Sequence, residues 1–148
     1  MGNAILGLVR HPLFLAVLTA WVLAQILKAI VPLLTHGTFD WHRLVEPGGM
    51  PSSHAAAVIA LFIGVGIREG WTSTISILAL VFALAILYEA VGVRKALEDH
   101  AKLLEHLVQY HPPEQPGLST VRTPRGHTPA EVGVGVVIGA VVGLLWML

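Results

Sequence analysis

Cysteine is absent from this 148-residue chain, and charged residues make up only 12% of it. A chain without thiols has no disulfide, no thiolate metal site and no cysteine nucleophile. Soluble globular domains carry about 25% charged residues, so the low charge argues against a water-soluble enzyme, a disordered chain and a nucleic-acid-binding protein. The net charge is zero. The hydrophobic residues, 55% of the chain, lie in long runs, which is the pattern of an integral membrane protein.

Four hydrophobic runs are long enough to be predicted as membrane spans. At about 1.5 Å per residue, the second run is near the lower limit for crossing a bilayer. A cleaved signal peptide is disfavoured because the first run is too long and lacks a small-residue cleavage pattern. We therefore predict an all-α fold, a polytopic helical bundle forming one membrane domain over residues 1–148. The predicted spans are residues 12–34, 51–67, 71–93 and 129–148.

The one sizeable polar stretch, residues 94–128, lies between the third and fourth spans. Apolar residues recur at helical spacing in its first half, and Lys and Glu occupy the opposite face. This pattern predicts an amphipathic helix that lies in the membrane interface or extends the third span into the cytosol. The Pro-rich second half is predicted to be an irregular loop. The apolar positions of the helix are Leu97, Ala101, Leu104 and Val108.

Positive charge is unequally distributed between the two sides that four spans define. The side with both termini has Arg10 and Arg68. The other side has Arg43, Arg94, Lys95, Lys102, Arg122 and Arg125. The positive-inside rule therefore predicts that this second side is cytoplasmic, and we expect a multi-pass protein of the inner cell membrane.

This topology brings polar residues of all four spans to the cytoplasmic end of the bundle. An ionisable residue at membrane depth is energetically costly, so each one is a functional candidate. Lys28 lies near the end of the first span; Ser52, Ser53 and His54 open the second; Glu89 and Arg94 close the third; His127 and Glu131 open the fourth.

Several of these residues also have a purely structural interpretation. Lys28 can extend along apolar surface to the headgroups, and Arg94 with Lys95 can anchor a span against acidic lipid. Glu131 fits a capping box with Thr128. The glycine series of the fourth span is interpreted as a surface for helix packing; it consists of Gly135, Gly139 and Gly143.

The segment from Gly48 to His54, GGMPSSH, has the features of an anion-binding turn. Two glycines permit a tight turn, and a serine can cap the helix that follows. The free amides and the positive dipole end of such a helix favour an anion. With His54 on the turn and cations arriving on two other helices, we predict a phosphate site. The alternative is an ordinary capped turn.

GGMPSSHAA, with DWHRL upstream and YEAVGVRK and GHTPAEVGVGVVIG downstream, resembles the divergent type 2 phosphatidic acid phosphatase family. That family is related to acid phosphatases and vanadium haloperoxidases. The resemblance implies that one histidine attacks phosphorus to give a phosphohistidine, that a carboxylate supports it, and that a second histidine protonates the leaving alcohol.

The resemblance also implies a role for each matching residue. His127 resembles the nucleophile, Glu131 its carboxylate partner and His54 the general acid. The phosphate-binding candidates are Lys28, Arg94, Gly49, Ser52 and Ser53. The superfamily has an arginine six residues before the nucleophilic histidine, where this chain has Val121. Arg94 is therefore the candidate for the clamping arginine, and Arg122 and Arg125 are the alternatives.

From these residues we expect a metal-independent lipid phosphate monoester phosphatase that requires no cofactor. Phosphatidylglycerophosphate and phosphatidic acid are the leading substrates because both are made in the inner leaflet. An isoprenoid pyrophosphate fits the topology less well. The expected partners are the phospholipid phosphate and the bilayer, and a homodimer is a further hypothesis. The main alternative function is a catalytically silent scaffold or regulator that binds a phospholipid; a haloperoxidase ranks last.

Overall fold

The computed structural model describes residues 2–37, 49–110 and 126–148, and every regular element in these ranges is an α-helix. The predicted all-α fold is confirmed. An additional short N-terminal helix, α1, contacts the first long helix. The helices are α1 (Gly2–Val9), α2 (Pro12–His36), α3 (Ser53–Glu69), α4 (Thr74–Val91), α5 (Val93–Tyr110) and α6 (Pro129–Met147).

Within the described ranges, three helical stretches are long and apolar enough to cross a membrane. They are Pro12–Val31, Thr74–Val108 and Pro129–Met147, and they correspond to the first, third and fourth predicted spans. The second predicted span forms α3, which has 17 residues and a length of about 26 Å at the usual helical rise. The predicted count of four spans is therefore approximate. α3 has the predicted length but begins and ends two residues later than predicted, because the turn before it continues to the N-cap, Ser52.

The short helix α3 is the centre of the bundle, and it contacts α2, α4 and α6. Its buried face carries small side chains, which allow helix backbones to approach closely in a membrane protein. Alanines from α2 and α3 form the core between these helices, together with one valine of α6. The cluster consists of Ala20, Ala24, Ala56, Ala60 and Val142.

The glycines of α6 lie directly against the backbone of α3. A Cβ atom at Gly143 would lie 3.1 Å from the carbonyl oxygen of Ala60. Cβ atoms at the other two positions would overlap carbonyl oxygens of α3, at Gly135 with Ser52 and at Gly139 with Ala56. The interpretation of this series as a helix-packing surface is confirmed. The close approach also brings the first turn of α6 beside the first turn of α3.

The helices α4 and α5 are joined at Gly92 with little interruption of the hydrogen bonding. The Gly92 N–H donates to the Tyr88 carbonyl at 2.8 Å, and the Ala96 N–H donates to the Gly92 carbonyl at 3.0 Å. The predicted amphipathic helix is confirmed as α5, which begins at Val93. Its leucines are exposed, and of the described helices it contacts only α4.

Candidate active site

A small cleft lies at the end of the bundle where α3 and α6 begin and α4 ends. The predicted topology brings candidate residues of all four spans to this end. The cleft contains both histidines and the arginine of the predicted site. Its walls are His54, Ile86, Glu89, Ala90, Arg94 and His127.

His127 is held in this cleft through its backbone and its side chain. Its N–H donates to the carbonyl of Ala90 on α4 at 3.3 Å. The residue is 3% exposed, and its Nδ1 lies 3.3 Å from Oε2 of Glu131. When Nδ1 carries the proton and donates to this carboxylate, the lone pair is on Nε2. A neutral ring in this tautomer has the nucleophilic nitrogen that attack on phosphorus requires.

Glu131 both closes a capping box and contacts His127, two roles that the sequence left as alternatives. The Thr128 Oγ1 accepts the Glu131 N–H at 3.3 Å, and Oε2 of Glu131 accepts the Thr128 N–H at 3.0 Å. These two bonds form the predicted capping box. The same Oε2 is the atom that contacts His127. The cap therefore fixes the carboxylate in the position where it meets the imidazole.

Burial lowers the pKa of His127 below its ordinary value of 6.5, because an imidazolium loses its hydration when it is desolvated. The Glu131 carboxylate raises this pKa through its hydrogen bond and its negative charge, and the positive charges of Lys28 and Arg94 lower it. Burial is the largest of these effects. The site therefore favours the neutral form of His127.

Arg94 reaches the cleft from the first turn of α5 and is oriented by Glu89. Its Nε donates to Oε1 of Glu89 at 2.9 Å, so the remaining guanidinium donors are on the two terminal nitrogens. The sequence makes Glu89 a functional candidate but gives it no role in the predicted site. Its position in the sequence is the reason that it is a candidate: an acidic residue lies inside an otherwise apolar run, and an ionisable group at membrane depth is energetically costly.

Lys28 lies beneath the glycine turn that precedes α3. It is 5% exposed, and therefore it is buried in the bundle rather than extended along its surface. A Cβ atom at Gly49 would lie 3.2 Å from Cε of Lys28. Gly49 also has a φ of +84°, a backbone conformation that favours glycine. The backbone conformation of the turn thus favours glycine at this position, and the lysine beneath it leaves little space for a side chain.

Ser52 joins the starts of α3 and α6. Its Oγ accepts the Ala55 N–H at 3.3 Å as the N-cap of α3, and its own N–H donates to the Glu131 carbonyl at 3.0 Å. The Ser52 amide is therefore already bonded within the protein, and the role of Ser52 in phosphate binding stays a prediction. Ser53 is buried beside it at the first helical position of α3.

Some predicted features lie outside the described residues. These are the alternative arginines Arg122 and Arg125, the position of Val121, the DWHRL segment and most of the Pro-rich loop. Within the ranges that the structure covers, no three His, Asp or Glu side chains are grouped so that they could hold a metal ion.

Comparisons with known proteins agree with the resemblance. The sequence model of the Divergent PAP2 family matches residues 9–142. The "Uncharacterized membrane protein YuiD" of Bacillus subtilis (strain 168) is 36% identical over 101 residues, which are 68% of this chain and 63% of that protein. This chain therefore spans less than two thirds of that relative's length. No solved structure matches the chain. Because the family match covers nearly the whole chain and three helical stretches fit a membrane, this multi-pass membrane protein belongs to the Divergent PAP2 family.

Proposed function

We propose that this protein is a lipid phosphate monoester phosphatase that works through a phosphohistidine intermediate at the cytoplasmic face of the inner membrane. The observation that carries the proposal is the convergence of His54, Arg94 and His127 on one cleft. The family relationship supports phosphatase-type hydrolysis as the class of chemistry.

In the first half-reaction, Nε2 of His127 attacks phosphorus in line with the ester oxygen. The bond from nitrogen to phosphorus forms as the bond from phosphorus to the lipid oxygen breaks, and protonated His54 gives its proton to the leaving alkoxide. Glu131 holds the Nδ1 proton of His127 and balances the charge that develops on the ring. The products are the lipid alcohol and the phosphohistidine.

In the second half-reaction, water attacks the phosphohistidine. His54, now neutral, takes the proton of the water as the oxygen bonds to phosphorus and the bond from phosphorus to nitrogen breaks. Inorganic phosphate leaves, and both histidines return to their starting protonation states.

Positive groups around the cleft would stabilise the transferred phosphoryl group, whose charge is spread over its equatorial oxygens. Arg94 lines the cleft, and Lys28 is near enough to lower the pKa of His127. The N-terminus of α3 adds the positive end of its dipole. A phosphate monoester, with its two negative charges, fits this arrangement.

The surroundings of the cleft support a substrate carried by the membrane. Two of its walls, Ile86 and Ala90, belong to α4, whose other side chains are largely exposed and apolar. A lipid could therefore place its phosphate in the cleft while its acyl chains remain beside α4. Phosphatidic acid and phosphatidylglycerophosphate are the substrates that we propose, because both are monoesters of the inner leaflet.

The test is phosphate release by the purified protein in liposomes that contain either lipid. We expect His127→Ala to abolish turnover, and His54→Ala to lower it by about 10²–10⁴-fold, the usual contribution of general acid–base catalysis. His106→Ala is the matched control, because His106 is exposed on α5 and its ring contacts that of Tyr110 outside the cleft. Wild-type protein without turnover would contradict the proposal and favour the silent phospholipid-binding scaffold.

A further inference from the structure

The residue before His127 packs against the first turn of α5. A Cβ atom at Gly126 would lie 2.7 Å from Cα of Lys95 and 2.8 Å from its backbone nitrogen. Since these neighbours are backbone atoms, they have no side-chain freedom with which to make room. Gly126 therefore allows the segment that leads to His127 to lie directly on α5.

At this contact the Gly126 N–H donates to Oε2 of Glu98 at 3.0 Å. The carboxylate is itself held by two lysines of the same helix. Lys102 pairs with Oε1, and Nζ of Lys95 lies 3.3 Å from Oε2. The Glu98 side chain is 14% exposed, whereas those of Lys95 and Lys102 are 40% and 55% exposed. The two lysines thus flank a carboxylate whose Oε2 also accepts the backbone N–H of Gly126.

Three consecutive amides around the nucleophile are each bonded to a different partner. The His127 N–H donates to Ala90 and the Thr128 N–H donates to Glu131. The Gly126 N–H is the one that a side chain of α5 accepts. We propose that Glu98 is a positioning residue for His127, an inference that rests on the proposed phosphatase function. Without Glu98 the Gly126 N–H loses its acceptor, so the segment that leads to His127 is held less firmly and the ring loses its alignment with phosphorus.

Substitution of Glu98 tests this role, and Asp99→Asn is the matched control. Asp99 pairs with the same Lys95, at 3.4 Å, but belongs to no bond with Gly126 in the described structure. We expect Glu98→Ala to lower kcat for phosphatidic acid in liposomes by about tenfold to 100-fold, the cost of misplacing a reacting group. KM should remain within about twofold, because Glu98 does not touch the cleft that binds phosphate.

The conservative variant Glu98→Gln distinguishes the hydrogen bond to Gly126 from the negative charge of Glu98 on the surface of α5. A glutamine carbonyl can still accept the Gly126 N–H, although a neutral acceptor makes a bond about half as strong. We therefore expect its kcat to lie between those of wild type and Glu98→Ala. Wild-type kcat in Glu98→Ala would overturn the proposal, and so would an equal loss of kcat in Asp99→Asn.

Hydrogen exchange of the Gly126 amide tests the bond without reference to turnover. Mass spectrometry of the peptide that contains Gly126 should show faster exchange in Glu98→Ala by about tenfold, as expected for the loss of one hydrogen bond, and wild-type exchange in Asp99→Asn. Unchanged exchange in Glu98→Ala would overturn the role of Glu98 even in an active enzyme. If wild-type protein is inactive, the phosphatase proposal fails, and faster exchange in Glu98→Ala still supports the hold of Glu98 on this segment.

Discussion

Nδ1 of His127 lies 3.3 Å from Oε2 of Glu131, and the same oxygen accepts the Thr128 N–H at 3.0 Å. A side chain that closes a capping box is fixed by the backbone of its own helix. The carboxylate that orients the proposed nucleophile is therefore part of the first turn of α6. This arrangement resembles the way in which a carboxylate orients the histidine of a catalytic triad, and it links the start of a membrane helix directly to the proposed chemistry.

We expect kcat/KM to fall on the acid side, the acid limb of the pH profile, only below pH 6.5. The pKa of His127 is lowered from 6.5 by burial, so the ring stays neutral, and nucleophilic, at pH values where an exposed histidine is already protonated. Glu131→Gln removes a charge that raises this pKa. We expect the limb to move to still lower pH and the maximal rate to fall. The measurement is kcat/KM for phosphatidic acid between pH 4 and 9, and a flat profile would contradict the assigned roles.

Thr128→Ala is the control for this experiment. It removes the Oγ1 acceptor of the capping box but leaves the carboxylate of Glu131. It should destabilise the protein by about 1 kcal/mol, the usual value of an N-cap, and should leave the acid limb in place. If both variants move the limb equally, the effect belongs to the helix cap and not to the charge of Glu131.

The role of His54 predicts a dependence on the leaving group. A lipid alkoxide needs a proton as it departs, whereas the anion of an acidic phenol does not. We expect His54→Ala to lose most of its first-turnover rate with phosphatidic acid and much less with p-nitrophenyl phosphate. His127→Ala should lose both rates. The burst of nitrophenol is the measurement, because His54 also activates the water of the second step. Equal losses of both rates in His54→Ala would contradict its role as the acid.

The position of the site could be predicted from the sequence because antiparallel spans alternate in direction. Lys28 is late in its helix, His54 is early in the next one and His127 is early in the last one. Alternation alone places such residues at one end of the bundle, and the cleft lies there. The capping box at Glu131 could also be predicted, because it depends only on residues three positions apart.

Other contacts could not be predicted because they join distant parts of the chain. Glu98 and Gly126 are 28 positions apart, and helical periodicity describes only neighbours within a turn or two. In the sequence Glu98 is simply the i,i+4 partner of Lys102. The occupied amide of Ser52 is similar, since its acceptor is the Glu131 carbonyl of another helix. These details depend on how closely α6 approaches α3 and on how closely the segment at Gly126 lies against α5.

The packing of α6 against α3 predicts that alanine destabilises the protein at some glycines of α6 and not at others. Gly139→Ala places a Cβ atom against the Ala56 carbonyl and should force the helices apart, with a loss of about 1–3 kcal/mol as in other overpacked cores. Gly133→Ala is the matched control in the same helix, because no atom lies within 4 Å of its added Cβ. That variant should be as stable as wild type or slightly more stable, owing to the better helix propensity of alanine. Thermal unfolding in detergent compares them, and equal stabilities would contradict the close helix contact.

The pairing of Glu89 with Arg94 predicts an effect on phosphate binding. Glu89→Gln weakens the bond that orients the Arg94 guanidinium and should raise KM for phosphatidic acid. Arg94→Lys should raise KM further, because an ammonium group lacks the planar fork that matches phosphate. Glu69→Gln is the control, since Glu69 is exposed at the far end of α3. Inhibition by inorganic phosphate should weaken in parallel with KM. Wild-type KM in Arg94→Lys would indicate that another cation clamps the phosphate.

The orientation of the protein in the membrane can be tested because the chain contains no cysteine. Single cysteines at Glu69 and Glu105, both exposed positions, can be labelled with a membrane-impermeant maleimide. Glu69 ends α3 at the end of the bundle opposite to the cleft, and Glu105 lies on α5. The positive-inside rule predicts that Glu105→Cys is labelled only in inside-out vesicles and Glu69→Cys in intact spheroplasts. The opposite result would place the cleft outside the cytoplasm, where an isoprenoid pyrophosphate becomes the better substrate.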